Sequence, residues 1–236
     1  MLVVLASAFD EVAAAVVAAW APWQAALCVP ADLSVPGWRL RVGAPRETVA
    51  VVGGRVTPVA TITGVLTRLW HVQPEELTHI AAPDRAYVAA EMTAFLTAFL
   101  CDLRCPVLNR PSAALLSGPG WRPEQWIRAA IRAGIPVRPA RRIVRPDAAA
   151  EHPAEVAAEL TVIGGRVFGT ADPVLRGWAK TLAAAAGTGL LGVRFARHGA
   201  GYVVAGVNPW PVIMFPGGLD AVRDALLGEP GATVPQ

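Results

Sequence analysis

Apolar residues fall into short segments along the chain, and glycine, proline and charged residues separate these segments. The pattern predicts a buried strand over 1–5, a helix over 9–20 and a second strand over 24–29. A strand–helix–strand opening of this kind is the usual start of an open α/β sheet. Further strands are predicted at 38–42, 48–52, 62–70 and 105–111. We therefore expect a sheet of parallel type in the N-terminal part.

Two helices stand out in the middle of the chain. The segment 84–103 has Asp84 as a possible N-cap, followed by residues that recur at helical spacing and predict one inward face: Tyr87, Glu91, Phe95, Ala98 and Cys101. The segment 122–133 carries Pro123 in its first turn and ends before Gly134. A return strand is predicted at 135–144.

The C-terminal part reads as two hairpins around a helix. The first hairpin, 159–170, turns at Gly164-Gly165, and a helix follows at 173–186. The second hairpin, 189–211, turns at His198-Gly199, and its return strand ends on Asn208-Pro209-Trp210-Pro211. The last helix is predicted at 220–227. This pattern favours an antiparallel C-terminal sheet with helices, and an α/β chain divided into 1–145, 146–228 and a flexible tail at 229–236.

The composition limits the partners and the location. The chain has 236 residues, of which 54% are hydrophobic and 17% charged, enough for a sizeable core. No apolar run is long enough to span a bilayer, and no basic flank suggests a signal peptide, so we expect a cytoplasmic protein without a membrane partner. The arginines at 138, 141, 142 and 145 lack the interleaved aromatic residues of a single-strand binding surface, so no nucleic-acid partner is predicted.

Motifs for other chemistry are missing from the sequence. It has no Gly-x-Ser-x-Gly elbow, and its four histidines and three cysteines show no metal-ligand spacing. We therefore predict no catalytic nucleophile and no metal ligand.

The closing hairpin resembles that of the ATP-grasp carboxylate–amine ligases. In that family an acid on one strand and a Glu-x-Asn-Pro motif on the next hold the magnesium ion of ATP. The resemblance places these three positions on Arg194, Gly206 and Asn208, so only the asparagine is kept. Magnesium prefers anionic oxygen ligands, so we expect no metal site here. Asn208 can instead bind another ligand or form a plain Asx turn.

The N-terminal part resembles the pre-ATP-grasp domain of graspetide-type ligases, which join side-chain carboxylates of a peptide to its hydroxyls or amines. The matching pieces are Thr67-Arg68-Leu69-Trp70, the segment 84–91 and Asn109-Arg110-Pro111. The resemblance covers about residues 1–145 and 159–215. The family's lid subdomain is missing, because 145–158 is too short to hold it and the only lysine, Lys180, lies on a later helix.

The resemblance implies six ligand-binding candidates: Arg68, Glu91, Asn109, Arg110, Arg194 and Asn208. We also expect Arg68 to form an ion pair with Glu91 or Asp84. The preferred hypothesis is a degenerate, non-catalytic ATP-grasp-like protein without a cofactor. It would bind a peptide or protein partner, either an active ligase or a second copy, within a peptide-modification system. The alternative is an active ATP-dependent ligase that uses Mg-ATP, with Arg194 or the arginines of 138–145 holding phosphates. The first is favoured because phosphoryl transfer needs a metal or an equivalent clamp.

Overall fold

The computed structural model describes residues 1–44, 47–138 and 155–228. Its strands are β1 (Leu2–Ala6), β2 (Ala26–Cys28), β3 (Val49–Val52), β4 (Arg55–Pro58), β5 (Gly64–Arg68), β6 (Val107–Leu108), β7 (Val156–Ile163), β8 (Arg166–Phe168), β9 (Leu190–His198) and β10 (Gly201–Asn208). Its α-helices are α1 (Glu11–Ala19), α2 (Arg85–Asp102), α3 (Pro123–Arg132), α4 (Pro173–Ala185) and α5 (Gly218–Leu227).

Four features predicted from the sequence lie wholly or mostly outside the described residues. They are the division between residues 145 and 146, the short segment 145–158 in place of the lid, the arginines at 141, 142 and 145, and the tail at 229–236. Of the strand predicted at 135–144, the described part makes one parallel bridge, between Val137 and Val204.

The N-terminal sheet is parallel, as the sequence predicts, and its strand order is β2-β1-β5-β6. Its strands are buried on both faces, which is usual for parallel sheets and explains their continuous apolar runs. One face packs against α2 and the β3–β4 hairpin. The other face packs against α1 and α5.

The C-terminal sheet is antiparallel, in the order β10-β9-β7-β8, which also agrees with the prediction. Leu191, Val193 and Phe195 alternate along β9 and point to the face covered by α3 and α4. Helix α5 packs on the N-terminal sheet. Its buried side chains form one cluster with Ile163 of β7 and Leu190 of β9, which belong to the C-terminal sheet. The two sheets therefore enclose a common core.

The predicted inward face of α2 is wrong. Four of its five residues, Tyr87, Glu91, Ala98 and Cys101, are exposed, and Tyr87 is 70% accessible. The buried residues are instead Ala89, Leu96, Phe99 and Leu100. Apolar residues surround almost the whole helix, so spacing alone does not identify which face meets the core. Asp84 precedes the helix without a side-chain capping bond.

The prediction of a strand at 38–42 is also wrong. The segment makes a single antiparallel bridge, between Arg39 and Val49, and no longer strand. Trp38 explains why the segment turns inward. Its ring lies edge-on to Phe95 and Phe99 of α2, with centroid distances of 5.3 and 5.2 Å, and its Nε1 donates to the carbonyl of Asp32 at 2.9 Å. Within the described residues, no helix is both long enough and apolar enough to cross a membrane.

Candidate ligand-binding face

Arg68 ends β5 and forms an ion pair with Asp10, the N-cap of α1. Its Nε donates to Oδ2 at 2.8 Å and its Nη2 to Oδ1 at 3.3 Å, and each side chain is only 15% exposed. The predicted pairing with Glu91 or Asp84 is wrong, because both of those residues are exposed at or on α2. Strands β1 and β5 are neighbours, with Ala6 opposite Arg68, so the residues that follow β1 are the ones within its reach.

Trp210 covers this ion pair from the C-terminal part of the chain. The Arg68 guanidinium carbon lies 5.5 Å from the centre of the Trp210 ring, and Trp70 packs on the same ring at 5.2 Å. A guanidinium over an indole face adds a cation–π attraction to the ion pair. The segment 208–211 thereby contacts the N-terminal sheet at the C-terminal ends of its strands.

Asn109 follows β6 in the left-handed region, at φ 57°, and its side chain is buried. Its Nδ2 donates to the carbonyls of Leu190 and Pro209, each at 2.8 Å. Its Oδ1 accepts from the Leu190 amide at 3.0 Å and from the Thr188 hydroxyl. This amide ties β6 to β9 and to the 208–211 segment, so its contacts are structural. Its ligand-binding role stays a prediction.

Arg110 has a comparable structural position. Its guanidinium donates to the carbonyls of Leu100, Leu103 and Cys105 at 3.0–3.1 Å. A cation at these carbonyls satisfies groups that the end of α2 leaves without helical partners, and it complements the helix dipole. Glu91 stands apart, exposed on α2. Ligand binding by either residue stays a prediction.

Arg194 and Gly206 lie opposite each other on β9 and β10, on the face of the C-terminal sheet that is turned away from α3 and α4. A Cβ atom added to Gly206 would lie 2.9 Å from Nη2 and 3.2 Å from Nε of Arg194, so the guanidinium rests on the glycine. Glu159 of β7 is paired with Arg194 on its other side. Arg194 is exposed and makes no hydrogen bond or ion pair within 1–44, 47–138 and 155–228.

Asn208 forms the Asx turn that the sequence allowed as one alternative. Its Nδ2 donates to the Trp210 carbonyl at 2.9 Å, and its Oδ1 accepts from the Trp210 amide at 2.8 Å. The nitrogen and the oxygen of the Asn208 side chain thus both hold the bend that brings Trp210 over Arg68. In the part of the chain that the structure describes, no group of three or more His, Cys, Asp and Glu residues could hold a metal ion.

Two acids organise the N-terminal part. The sequence indicated Asp10 as a possible cap of the first helix, which is confirmed, but it did not indicate the role of Asp32. Asp32 is buried and accepts from the amides of Val29, Gly53 and Gly54 at 2.8–3.1 Å. The Gly53-Gly54 turn was the available signal, because a turn with free amides needs an acceptor. Nearby, burial first and the Asp32 charge second raise the pKa of the Cys28 thiol far above its usual range.

The paired sheets, the closing hairpin and the helices on each face together define an ATP-grasp fold, and comparison with solved structures supports this. No protein-family model and no curated protein matches the sequence. The chain is similar to the macrocyclase MdnC of Microcystis aeruginosa MRC bound with precursor peptide MdnA, with a TM-score of 0.70 and 10% identity over 97% of this chain and 100% of that one.

Two further structures give the same result. The macrocyclase MdnB of the same organism has a TM-score of 0.63 and 17% identity, covering 96% of this chain and 99% of that one. The ATP-grasp ligase PsnB, complexed with minimal precursor, Mg and ADP, has a TM-score of 0.64 and 15% identity, covering 96% and 97%. The fold of this chain is therefore similar to that of solved ATP-grasp ligases and macrocyclases.

Proposed function

We propose that this protein is a non-catalytic component of a peptide-modification system, which keeps the ATP-grasp fold and binds a peptide or protein partner. One observation carries the proposal: the face on which the family holds magnesium carries Arg194 resting on Gly206. The third position, Asn208, is engaged with the backbone of Trp210. A protein in this role would work in the cytoplasm, without a cofactor of its own.

The charge at this face is the physical reason. A magnesium ion needs hard anionic oxygens, and here a guanidinium takes the place of one carboxylate and a hydrogen atom the place of the other. A divalent ion at about 4 Å from the guanidinium would be repelled by roughly 1 kcal/mol or more per unit charge, even with the screening of water. Asn208 supplies one neutral oxygen, which does not offset this repulsion.

The peptide part of the proposal is supported by the proteins of similar fold. MdnC is described as bound with its precursor peptide, and PsnB as complexed with a minimal precursor. We infer that the partner of this chain is a peptide of this kind, an active ligase that modifies it, or a second copy of the chain.

Thermal melting with Mg-ATP tests the non-catalytic proposal. A ligand that binds only the folded state, at about 100 times its Kd, adds about 2.7 kcal/mol of stability. For a chain of this size that corresponds to a shift of roughly 5–10 °C. We expect no shift with Mg-ATP. A shift of that size, lost in Arg194→Ala, would favour the alternative of an active ligase.

One feature favours that alternative, namely the guanidinium of Arg194 without a partner among the described residues. Arginine binds phosphate oxygens in two-pronged geometry and does not need a metal to do so. The double variant Arg194→Asp/Gly206→Glu separates the two candidates. If the protein is a ligase that uses Arg194, this variant abolishes nucleotide binding. A non-catalytic protein shows no binding before the change and no catalysis after it, because the two restored acids do not replace the missing lid subdomain.

A further inference from the structure

A groove runs along α3 on the side of the C-terminal sheet that faces away from Arg194. Its volume is about 480 Å³. Its lining includes three alanines, Ala129 on α3, Ala133 at the C-cap of α3 and Ala185 at the end of α4, together with Trp121 and Gln125. Trp121 is half-buried and packs on the buried Trp126, with ring centroids 4.7 Å apart. The lining therefore offers apolar contacts from an aromatic ring held by its neighbour and from small side chains.

Two arginines, Arg128 and Arg132, form the rim of this groove. Both are exposed, and neither makes a hydrogen bond or an ion pair with any other described residue. Helices α3 and α4 together carry four cationic residues and a single acid, Glu124. This local excess of positive charge favours an anionic occupant.

The spacing of the two arginines fits a peptide. Residues four apart on a helix have Cβ atoms about 5–6 Å apart. In an extended peptide, side chains two residues apart project to the same side at about 6.7 Å. Arg128 and Arg132 can therefore each bind one carboxylate of a Glu-x-Glu or Asp-x-Asp segment in two-pronged geometry. Apolar residues that flank the segment would lie on Trp121 and the alanines.

We propose that the α3 groove binds an extended acidic peptide segment, with two carboxylates on Arg128 and Arg132 and a neighbouring apolar side chain against Trp121. We take an extended peptide as the occupant because the two arginines match carboxylates two residues apart, and nucleotide binding is an outcome of the test below. This inference specifies which kind of peptide the proposed function involves. It rests on that proposed function only for the assumption that the partner is a peptide. It does not depend on Arg194 or on the absence of catalysis.

Fluorescence anisotropy with a labelled peptide tests the proposal. The probe is fluorescein-Leu-Glu-Leu-Glu-Leu, compared with the same peptide carrying Gln in place of Glu. The intact protein is expected to bind the Glu peptide at least about tenfold more tightly than the Gln peptide. Raising NaCl from about 50 to about 500 mM should weaken binding several-fold, since exposed charges are then screened.

The double variant Arg128→Glu/Arg132→Glu should lose binding by about tenfold or more and should gain binding to the peptide with Lys in place of Glu. Its matched control is Arg55→Glu/Arg104→Glu, which makes the same change in net charge at exposed sites in the N-terminal part and should bind like wild type. Trp121→Ala should weaken binding of the Glu peptide without changing the ratio of the affinities for the Glu and Gln peptides. Circular dichroism confirms that each variant is folded.

Three results would overturn the proposal. The first is no saturable binding of the Glu peptide below about 1 mM, which corresponds to about −4 kcal/mol. The second is equal loss in the control and in the groove variant. The third is displacement of the probe by ATP or pyrophosphate as readily as by unlabelled Glu peptide, which would make the groove a general anion site. None of these results bears on Mg-ATP binding at the Arg194 face, so failure here is distinguishable from failure of the proposed function.

Discussion

At the scale of single residues, the polar side chains at the junction of the two sheets are tied to the protein itself. Asn109 makes four hydrogen bonds, to Thr188, Leu190 and Pro209. Arg110 binds the carbonyls at and just after the end of α2. Both residues became candidates through the resemblance, as part of Asn109-Arg110-Pro111 at the end of a strand. The sequence did not reveal their partners, which for Asn109 lie 79–100 positions away.

Replacing Asn109 should separate its backbone role from its side-chain role. Asn109→Gly keeps the left-handed conformation but removes the side-chain partner of the buried Leu190 amide and of the Pro209 carbonyl, so we expect a loss of about 3 kcal/mol in the free energy of unfolding. Asn109→Ala should lose about 1 kcal/mol more, because a Cβ disfavours this conformation. Urea unfolding measures both. Equal stability of the two variants would contradict the backbone part of this account.

Arg68 should contribute strongly to stability through Asp10. Removing one partner of a largely buried pair leaves an unpaired charge, so Arg68→Ala is expected to cost about 3 kcal/mol. The matched control is Arg41→Ala, since Arg41 and Glu47 form an exposed pair at 3.5 Å. That variant should lose less than about 1 kcal/mol. If the two variants unfold at the same urea concentration, the Asp10–Arg68 pair is not structural.

Cys28 should make stability fall at alkaline pH. Burial raises the pKa of this thiol in the folded state, so above the ordinary thiol pKa the unfolded chain loses a proton that the folded chain keeps. The free energy of unfolding should then fall by about 1.4 kcal/mol per pH unit from this one group. Urea unfolding at about pH 8 and about pH 10 measures this slope. Cys28→Ala should have a shallower slope than wild type, whereas Cys101→Ala, at an exposed thiol, should match wild type.

At the scale of elements, the sheet types and the hairpin pairing followed from the sequence, whereas the faces of helices did not. The strand–helix–strand opening indicated a parallel sheet, and the glycine turns indicated the C-terminal hairpins. Helix α2 is apolar nearly all round, so its buried face is decided by what packs on it, here Trp38 and the N-terminal sheet. The buried face of α2 is therefore set by tertiary contacts, which the spacing of residues along the sequence does not reveal.

The contact of α5 with β5 depends on the absence of a side chain at Gly64. A Cβ there would lie 2.7 Å from the Leu226 carbonyl oxygen and 2.8 Å from the Leu226 Cβ. Gly64→Ala must therefore displace α5, and we expect a loss of about 2–3 kcal/mol. Gly206→Ala is the control, because its Cβ would meet only the mobile end of Arg194. Thermal melting compares the two variants, and a Gly64→Ala protein as stable as Gly206→Ala would contradict this packing.

At the scale of the whole molecule, the two sheets form one structure because a common core and the 208–211 segment hold them together. The sequence predicted an α/β chain with one parallel and one antiparallel sheet, and that is confirmed. The ligand-binding candidates stay predictions. Their geometry nevertheless divides them into residues tied to the protein, such as Asn109, and residues exposed on the described surface, Glu91 and Arg194.

Isothermal titration of the wild-type protein with Mg-ATP tests the central claim, that this ATP-grasp fold has no working magnesium–nucleotide site. The account predicts no saturable heat of binding, because Arg194 and Gly206 stand where two carboxylates would be needed and the Asn208 amide is bound to Trp210. Binding with a Kd in the micromolar range, equivalent to about −8 kcal/mol, that requires magnesium and is lost in Asn208→Ala would contradict it.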